Sequence, residues 1–295
     1  MPFFEIEFPL AGLEADAAEA ALADAGACAV TFEDMRDDAV LEPLPGEMRL
    51  WRETLVRAMF DDAHDPARCL NLIGTSLGAE IAAAARVRAV PERVWERVWM
   101  QDWKPLRFGP RLWVCPTDAA APADPDAVVV RLDPGLAFGT GTHATTALCL
   151  EALASLDLRG RSVIDYGCGS GILAIAALKL GAAAAFCVDL DPQALTASRR
   201  NALQNGVAER LVTAGTEAGL GAADCVVANI LAGTLIALNP ALSAACKPGG
   251  DLLLSGILVA QEESVVAAYR RRFDIVSVTR RDGWCCIHAR SRPLD

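Results

Sequence analysis

Long hydrophobic runs are missing from this sequence. No stretch reaches the roughly 18 consecutive apolar residues that a membrane-spanning helix needs. The closest, Ile172 to Val188, is broken by Lys179 and Gly181. A basic segment ahead of an apolar one is missing too. The chain starts MPFFEIEFPL, with Glu5 and Glu7, which argues against a secretory signal peptide. Lysine is scarce, with 3 residues beside 24 arginines, a bias read as coding rather than function. Cysteine is present but lacks a pattern. The ten positions (28, 69, 115, 149, 168, 187, 225, 246, 285 and 286) contain no C-x-x-C pair, so neither a zinc site nor a disulfide framework is expected. Free thiols in a reducing cytoplasm fit this scatter.

The 295 residues suffice for one large or two modest domains. The 53% hydrophobic content overstates the core, because 55 residues are alanine, small and helix-favouring. Net charge is −11 and unevenly spread. Residues 1–90 hold 17 acidic and 7 basic side chains, whereas residues 91–295 hold 21 and 20. An acidic front half repels a phosphate backbone, so direct nucleic-acid binding is not expected. It suits a basic partner, or serves only to keep a small domain soluble.

Residues 1–90 read as a small α+β domain. Phe3 to Pro9 alternates as a half-buried strand, and Leu13 to Ala25 is an Ala-rich helix. Cys28 to Phe32 and Trp51 to Phe60 are further strands. Asp65 to Leu77 is a helix with Pro66 in its first turn, and Ala85 to Val90 is the fourth strand. The order β-α-β-β-α-β predicts a ferredoxin-like sheet. Pro91 to Trp103 puts Trp95, Trp99 and Trp103 on one helical face, and residues 91–110 are read as a connector helix and linker. The second domain is assigned to 111–295.

There, short apolar strands alternate with Ala-rich helices. Strands are expected at Val128–Leu132, Ser162–Asp165, Ala184–Asp189, Asp224–Ala228 and Asp251–Ser255. Helices are expected at Ala144–Ser155, Gly171–Leu180, Pro192–Asn205, Ala232–Ala245 and Gln261–Arg271. Two closing strands, Phe273–Val278 and Trp284–Ala289, have no helix between them. The pattern predicts a doubly wound, mainly parallel sheet with one antiparallel strand.

The chemistry gathers at the carboxyl ends of those strands. Val163 to Gly171 reads VIDYGCGSG: a buried strand, a turn with Gly167, Gly169 and Gly171, then a helix. The third glycine comes one residue too early for the dinucleotide fingerprint, and Asp165 suits a cationic ligand better than a pyrophosphate. The D-x-G-x-G-x-G pattern resembles the first motif of Rossmann-like S-adenosylmethionine methyltransferases. Asp189, at the tip of the next strand, is placed to accept hydrogen bonds from ribose hydroxyls, whereas Asp191 before Pro192 reads as a helix cap. Asn229 follows the strand from Asp224 and offers an oxygen to an amine; a turn or cap role is the alternative. A second Gly-rich loop, Leu132 to Thr146, leads into a helix, and its backbone N–H groups and hydroxyls suit a carboxylate or sulfonium. His143 within it is a general base or, more simply, a capping residue.

Taken together, LDPGLAFGTGTHATTALCLEAL, VIDYGCGSGILAIAALKLGA, VDLDPQAL, VVANILAG and LLLSGIL resemble the ribosomal protein L11 methyltransferase family over about residues 100–290. The FGTGTH-x-TT loop and the ANIL tetrad carry most of the specificity. The resemblance implies a Rossmann-like class I methyltransferase domain preceded by a ferredoxin-like α+β domain that recognises the substrate. A flexible connector would let the domains reorient so that several amines reach one site. It implies transfer from S-adenosylmethionine, with S-adenosylhomocysteine as product and no metal. The acceptors would be lysine side chains and the N-terminal amine of one basic large-subunit ribosomal protein, carried to the trimethyl state. Thr146, Gly167, Gly169, Asp189 and Asn229 would contact the cofactor or lie beside the transferred methyl, Asn229 acting in catalysis. Phe138, Gly139 and Thr140 would line the cofactor. The enzyme is expected to be bacterial, cytoplasmic and monomeric. A methyltransferase of a glutamine side chain or of rRNA is the competing reading. The missing Pro-Pro-aromatic after Asn229 and the acidic front half weigh against both.

Overall fold

The computed structural model describes residues 3–36, 50–90, 104–120, 122–133, 143–216 and 221–293. The chain divides into two units, Met1–Trp95 and Glu96–Asp295. The smaller runs β1 (Phe3–Pro9), α1 (Ala15–Asp24), β2 (Ala29–Asp34), β3 (Thr54–Asp61), α2 (Pro66–Leu77), α3 (Ala79–Ala84) and β4 (Arg86–Val90). Its sheet order is β2-β3-β1-β4 with every neighbour antiparallel, the expected split arrangement. The alternation in β1 decides its faces. Phe4, Ile6 and Phe8 enter the core with Val56, Ala58, Phe60, Leu22 and Ile73, and Phe4 stacks on Phe60 at 5.2 Å. Glu7, on the other face, is buried between Arg57 (3.5 Å) and Arg88 (3.8 Å) of the flanking strands. Asp65 caps α2 by accepting the Arg68 N–H at 2.9 Å. The helix stops at Gly78, and the short α3, absent from the sequence reading, follows it.

The larger unit begins with a three-stranded sheet, β5 (Leu106–Phe108), β6 (Leu112–Cys115) and β7 (Val128–Arg131), in the order β5-β6-β7. Residues 106–108 were read as linker; in the structure they pair antiparallel with β6. The tryptophan stripe at 95, 99 and 103 lies outside the described residues. Next come α4 (Ala144–Ser155), β8 (Ser162–Tyr166), α5 (Ile172–Lys179), β9 (Ala184–Val188), α6 (Pro192–Gln204), β10 (Leu211–Ala214) and β11 (Ala223–Asn229). Then follow α7 (Ala232–Ala237), α8 (Asn239–Ala245), β12 (Cys246–Leu258), α9 (Glu262–Tyr269), β13 (Phe273–Arg281) and β14 (Trp284–Ser291). The seven-stranded order is β10-β9-β8-β11-β12-β14-β13, parallel except where β14 runs against both neighbours. That is the predicted mainly parallel sheet with one antiparallel strand.

Alternate residues of each strand feed two cores. Val163, Cys225, Val227 and Leu253 join α4 and α5 on one face; Ile164, Val226, Ala228, Leu252 and Leu254 join α7, α8 and α9 on the other. Seven of the eight residues of α5, all but Lys179, are buried apolar residues, and it packs as an interior helix. The helix expected over 232–245 is two helices, because Pro240 has no N–H to donate and its ring crowds the preceding turn. Among the described residues no helix is long and apolar enough to cross a membrane.

Candidate functional site

The Gly-rich turn between β8 and α5 is held from three sides. Gly167 has φ +77°, and a Cβ there would fall 2.3 Å from Cγ2 of Ile230, so only glycine fits. From α6, the Ser198 hydroxyl donates to the Gly169 carbonyl and the Asn201 amide to the Ser170 carbonyl, both at 2.9 Å. Gly171 opens α5 without a capping side chain, and Asp165 supplies one from the strand, its Oδ2 accepting the Ala174 N–H at 3.1 Å. Asp165 is wholly buried and does not line the cavity described below, so it braces the turn instead of facing a cationic ligand. Burial pushes its carboxyl up to about 7; the Ala174 N–H opposes this and the charge of Asp189 adds to it.

Asp189 lies just past the end of β9. Its Oδ2 accepts the Gly169 N–H at 2.9 Å and its Oδ1 the Asp191 N–H at 3.0 Å. Each oxygen keeps a second lone pair for a ligand hydroxyl. Asp191 accepts the Gln193 N–H at 2.8 Å and caps α6, the division of labour expected from Pro192. Asn229 ends β11, and its Nδ2 donates to Thr146 Oγ1 at 3.2 Å, which turns Oδ1 the other way. His143 is the N-cap of α4. Its Nδ1 accepts the Thr145 N–H at 3.4 Å and lies 2.8 Å from Thr145 Oγ1, a capping geometry.

Thr146, Gly167, Gly169, Asp189 and Asn229 thus meet around one cavity of about 440 Å³ at the carboxyl ends of the parallel strands. Phe138, Gly139 and Thr140 lie outside the described residues. Among the described residues no His, Cys, Asp or Glu cluster can hold a metal.

A family profile described as "Ribosomal protein L11 methyltransferase (PrmA)" matches residues 2–292. The chain belongs to the ribosomal protein L11 methyltransferase family. It is 50% identical over 291 residues to the ribosomal protein L11 methyltransferase of Sodalis glossinidius (strain morsitans), covering 97% of this chain and 98% of that one. The Serratia proteamaculans (strain 568) relative is 49% identical over 290 residues, with the same coverage. A crystal structure of a ribosomal protein L11 methylase from Lactobacillus delbrueckii subsp. bulgaricus superposes with a TM-score of 0.59 at 32% identity, over 65% of this chain and all of that one.

In the cavity, backbone without side chains at Gly167 and Gly169 allows close approach, and Asp189 offers free lone pairs at one side. Sequence reasoning missed Leu190, which stands 84% exposed beside the cavity between two aspartates. A leucine set between two aspartates at an expected strand end was the available signal. It also missed Ile230, which lines the cavity and was read only as a departure from a proline.

Proposed function

We propose that this chain transfers methyl groups from S-adenosylmethionine to amino groups of ribosomal protein L11, both lysine side chains and the N-terminal amine, up to the trimethyl state. The convergence of Gly167, Gly169, Asp189 and Asn229 on one cavity carries the reading. When bound, S-adenosylmethionine supplies a methyl group on an electrophilic sulfonium. Asp189 would hold the ribose through its spare lone pairs, and the glycine turn, braced by Ser198 and Asn201, would admit the ligand against backbone. Thr146 fixes the Asn229 amide so that Oδ1 would be free to accept an N–H of an incoming amine and orient it for attack.

The amine must be neutral to attack. Lysine titrates near ~10.4 in water, and a dry apolar wall lowers that value by disfavouring the cation. Asp189, the one carboxylate among the described residues lining the cavity, is engaged with backbone N–H groups, so the proton leaves to water. The acidic first 90 residues fit recognition of a basic ribosomal protein by the smaller unit. Ten free thiols, nine of them buried, fit a cytoplasmic enzyme.

The test is to incubate the purified chain with S-adenosylmethionine and total ribosomal proteins and to weigh each protein intact. A ladder of methyl increments on L11 is expected. Increments on a different protein, with L11 unmodified, would overturn the assignment.

A further inference from the structure

A second cavity of about 410 Å³ opens beside the first. The two share Asn229, Ile230 and Thr234; His143, Gly256 and Trp284 help to complete the second. No carboxylate lies among the described residues that line it. Trp284 is aimed by its backbone. Asp282 (φ 49°) and Gly283 (φ +79°) form the two-residue turn between β13 and β14, and Trp284 is the first residue after it. The His143 ring meets the indole at 5.1 Å and 67°, and His143 is itself fixed as the cap of α4. The indole is therefore a rigid wall of the cavity next to Asn229.

Repeated methylation sets a chemical problem that this wall answers. In each transfer the nitrogen lone pair forms the new N–C bond and the carbon–sulfur pair stays with sulfur. The first two transfers release a proton to water; the third gives a quaternary ammonium with none to lose. A neutral primary amine offers Asn229 two N–H groups, a monomethylamine one and a dimethylamine none. The hydrogen bond that orients the first transfer is thus gone before the third. Apolar contact does not depend on N–H groups, nor does the attraction of an aromatic face for the positive charge that grows on nitrogen as the N–C bond forms; indole is the strongest such face.

We propose that Trp284 determines the methylation state, its indole holding the dimethylated lysine nitrogen in place once no N–H is left for Asn229. This rests on the functional reading above and deepens it. The experiment compares the full-length wild type with Trp284→Leu, Trp284→Met and Trp284→Phe, using S-adenosylmethionine and purified L11 in an intact-mass time course. The expected result is a ratio of third to first transfer that falls roughly tenfold in the Leu and Met variants and is largely kept in Phe. A binding readout accompanies it: calorimetry with S-adenosylhomocysteine present, where the wild type prefers dimethyllysine L11 over unmodified L11 and the Leu and Met variants do not. S-adenosylhomocysteine affinity reports whether each variant is folded, and Met stands in should Leu fail. An unchanged transfer ratio in a folded Leu or Met variant overturns the proposal, as does an equal loss in Phe. A wild type that leaves L11 unmodified overturns the functional reading and the proposal together, and is recognised by the absence of any ladder.

Discussion

Asp165 is a buried acid whose ionisation works against folding, and removing its charge should stabilise the protein in one pH range only. Its carboxyl titrates at about 7 in the folded chain, against 3.8 ordinarily. Between those values the native state holds a proton that the unfolded state has lost, so stability falls as pH rises from about 4 to about 7 and is level above. At about 1.4 kcal/mol per unit, the full effect is about 4 kcal/mol, of which about 3 kcal/mol develops above pH 5. Asp165→Asn keeps an oxygen for the Ala174 N–H and removes the charge. Urea unfolding of both proteins at pH 5 and pH 8 isolates this group, because every other titration cancels between them. The variant should gain about 3 kcal/mol on the wild type between the two conditions. Parallel pH profiles would refute the reasoning and mean that water or a conformational adjustment solvates the carboxylate.

Asp189→Ala should weaken S-adenosylhomocysteine binding by about 1.5–3 kcal/mol in calorimetry, since charge-assisted hydrogen bonds are lost and the Gly169 N–H is left unpartnered. At the other end of the sheet, Asp251 is buried among Arg161 (2.7 Å), His288 (2.8 Å) and Arg290 (3.0 Å). Burial opposes its ionisation, yet those hydrogen bonds hold its carboxyl well below the usual range. Asp251→Ala should therefore cost about 3 kcal/mol in urea unfolding while leaving cofactor affinity intact. Deleting residues 1–90 should preserve S-adenosylhomocysteine binding, because the larger unit keeps its own two cores, and abolish L11 methylation in the mass assay. Full activity of the truncated chain would remove the recognition role of the smaller unit.

The architecture was legible where periodicity was strong. The alternation FFEIEF and the apolar strands entering Ala-rich helices carry their burial pattern openly, and the split order of the first sheet and the antiparallel strand of the second followed. What escaped was short or depended on neighbours. β10 is four residues, LVTA, with no alternation long enough to register, and it exists because β9 offers it a parallel edge. β5 hid in a proline-flanked stretch that reads as linker. The cavity-lining places of Asp189 and Asn229 were legible because both stand at carboxyl ends of parallel strands, and the capping place of Asp191 through Pro192. The buried position of Asp165 was not legible, because a strand residue two places before the turn gives no sign of which face it takes. Trp284 is distant in sequence from every motif and reaches the site only through the β13–β14 hairpin.

Ile230 lies between two glycines: its Cγ2 against Gly167, its carbonyl 2.3 Å from where a Cβ of Gly256 would stand, at the bulge in β12. It also borders both cavities. The two cavities therefore share one wall residue, seated without slack on either side. Any bulk added at 167 or 256 moves that residue as a whole, so the shapes of the two cavities cannot be changed separately.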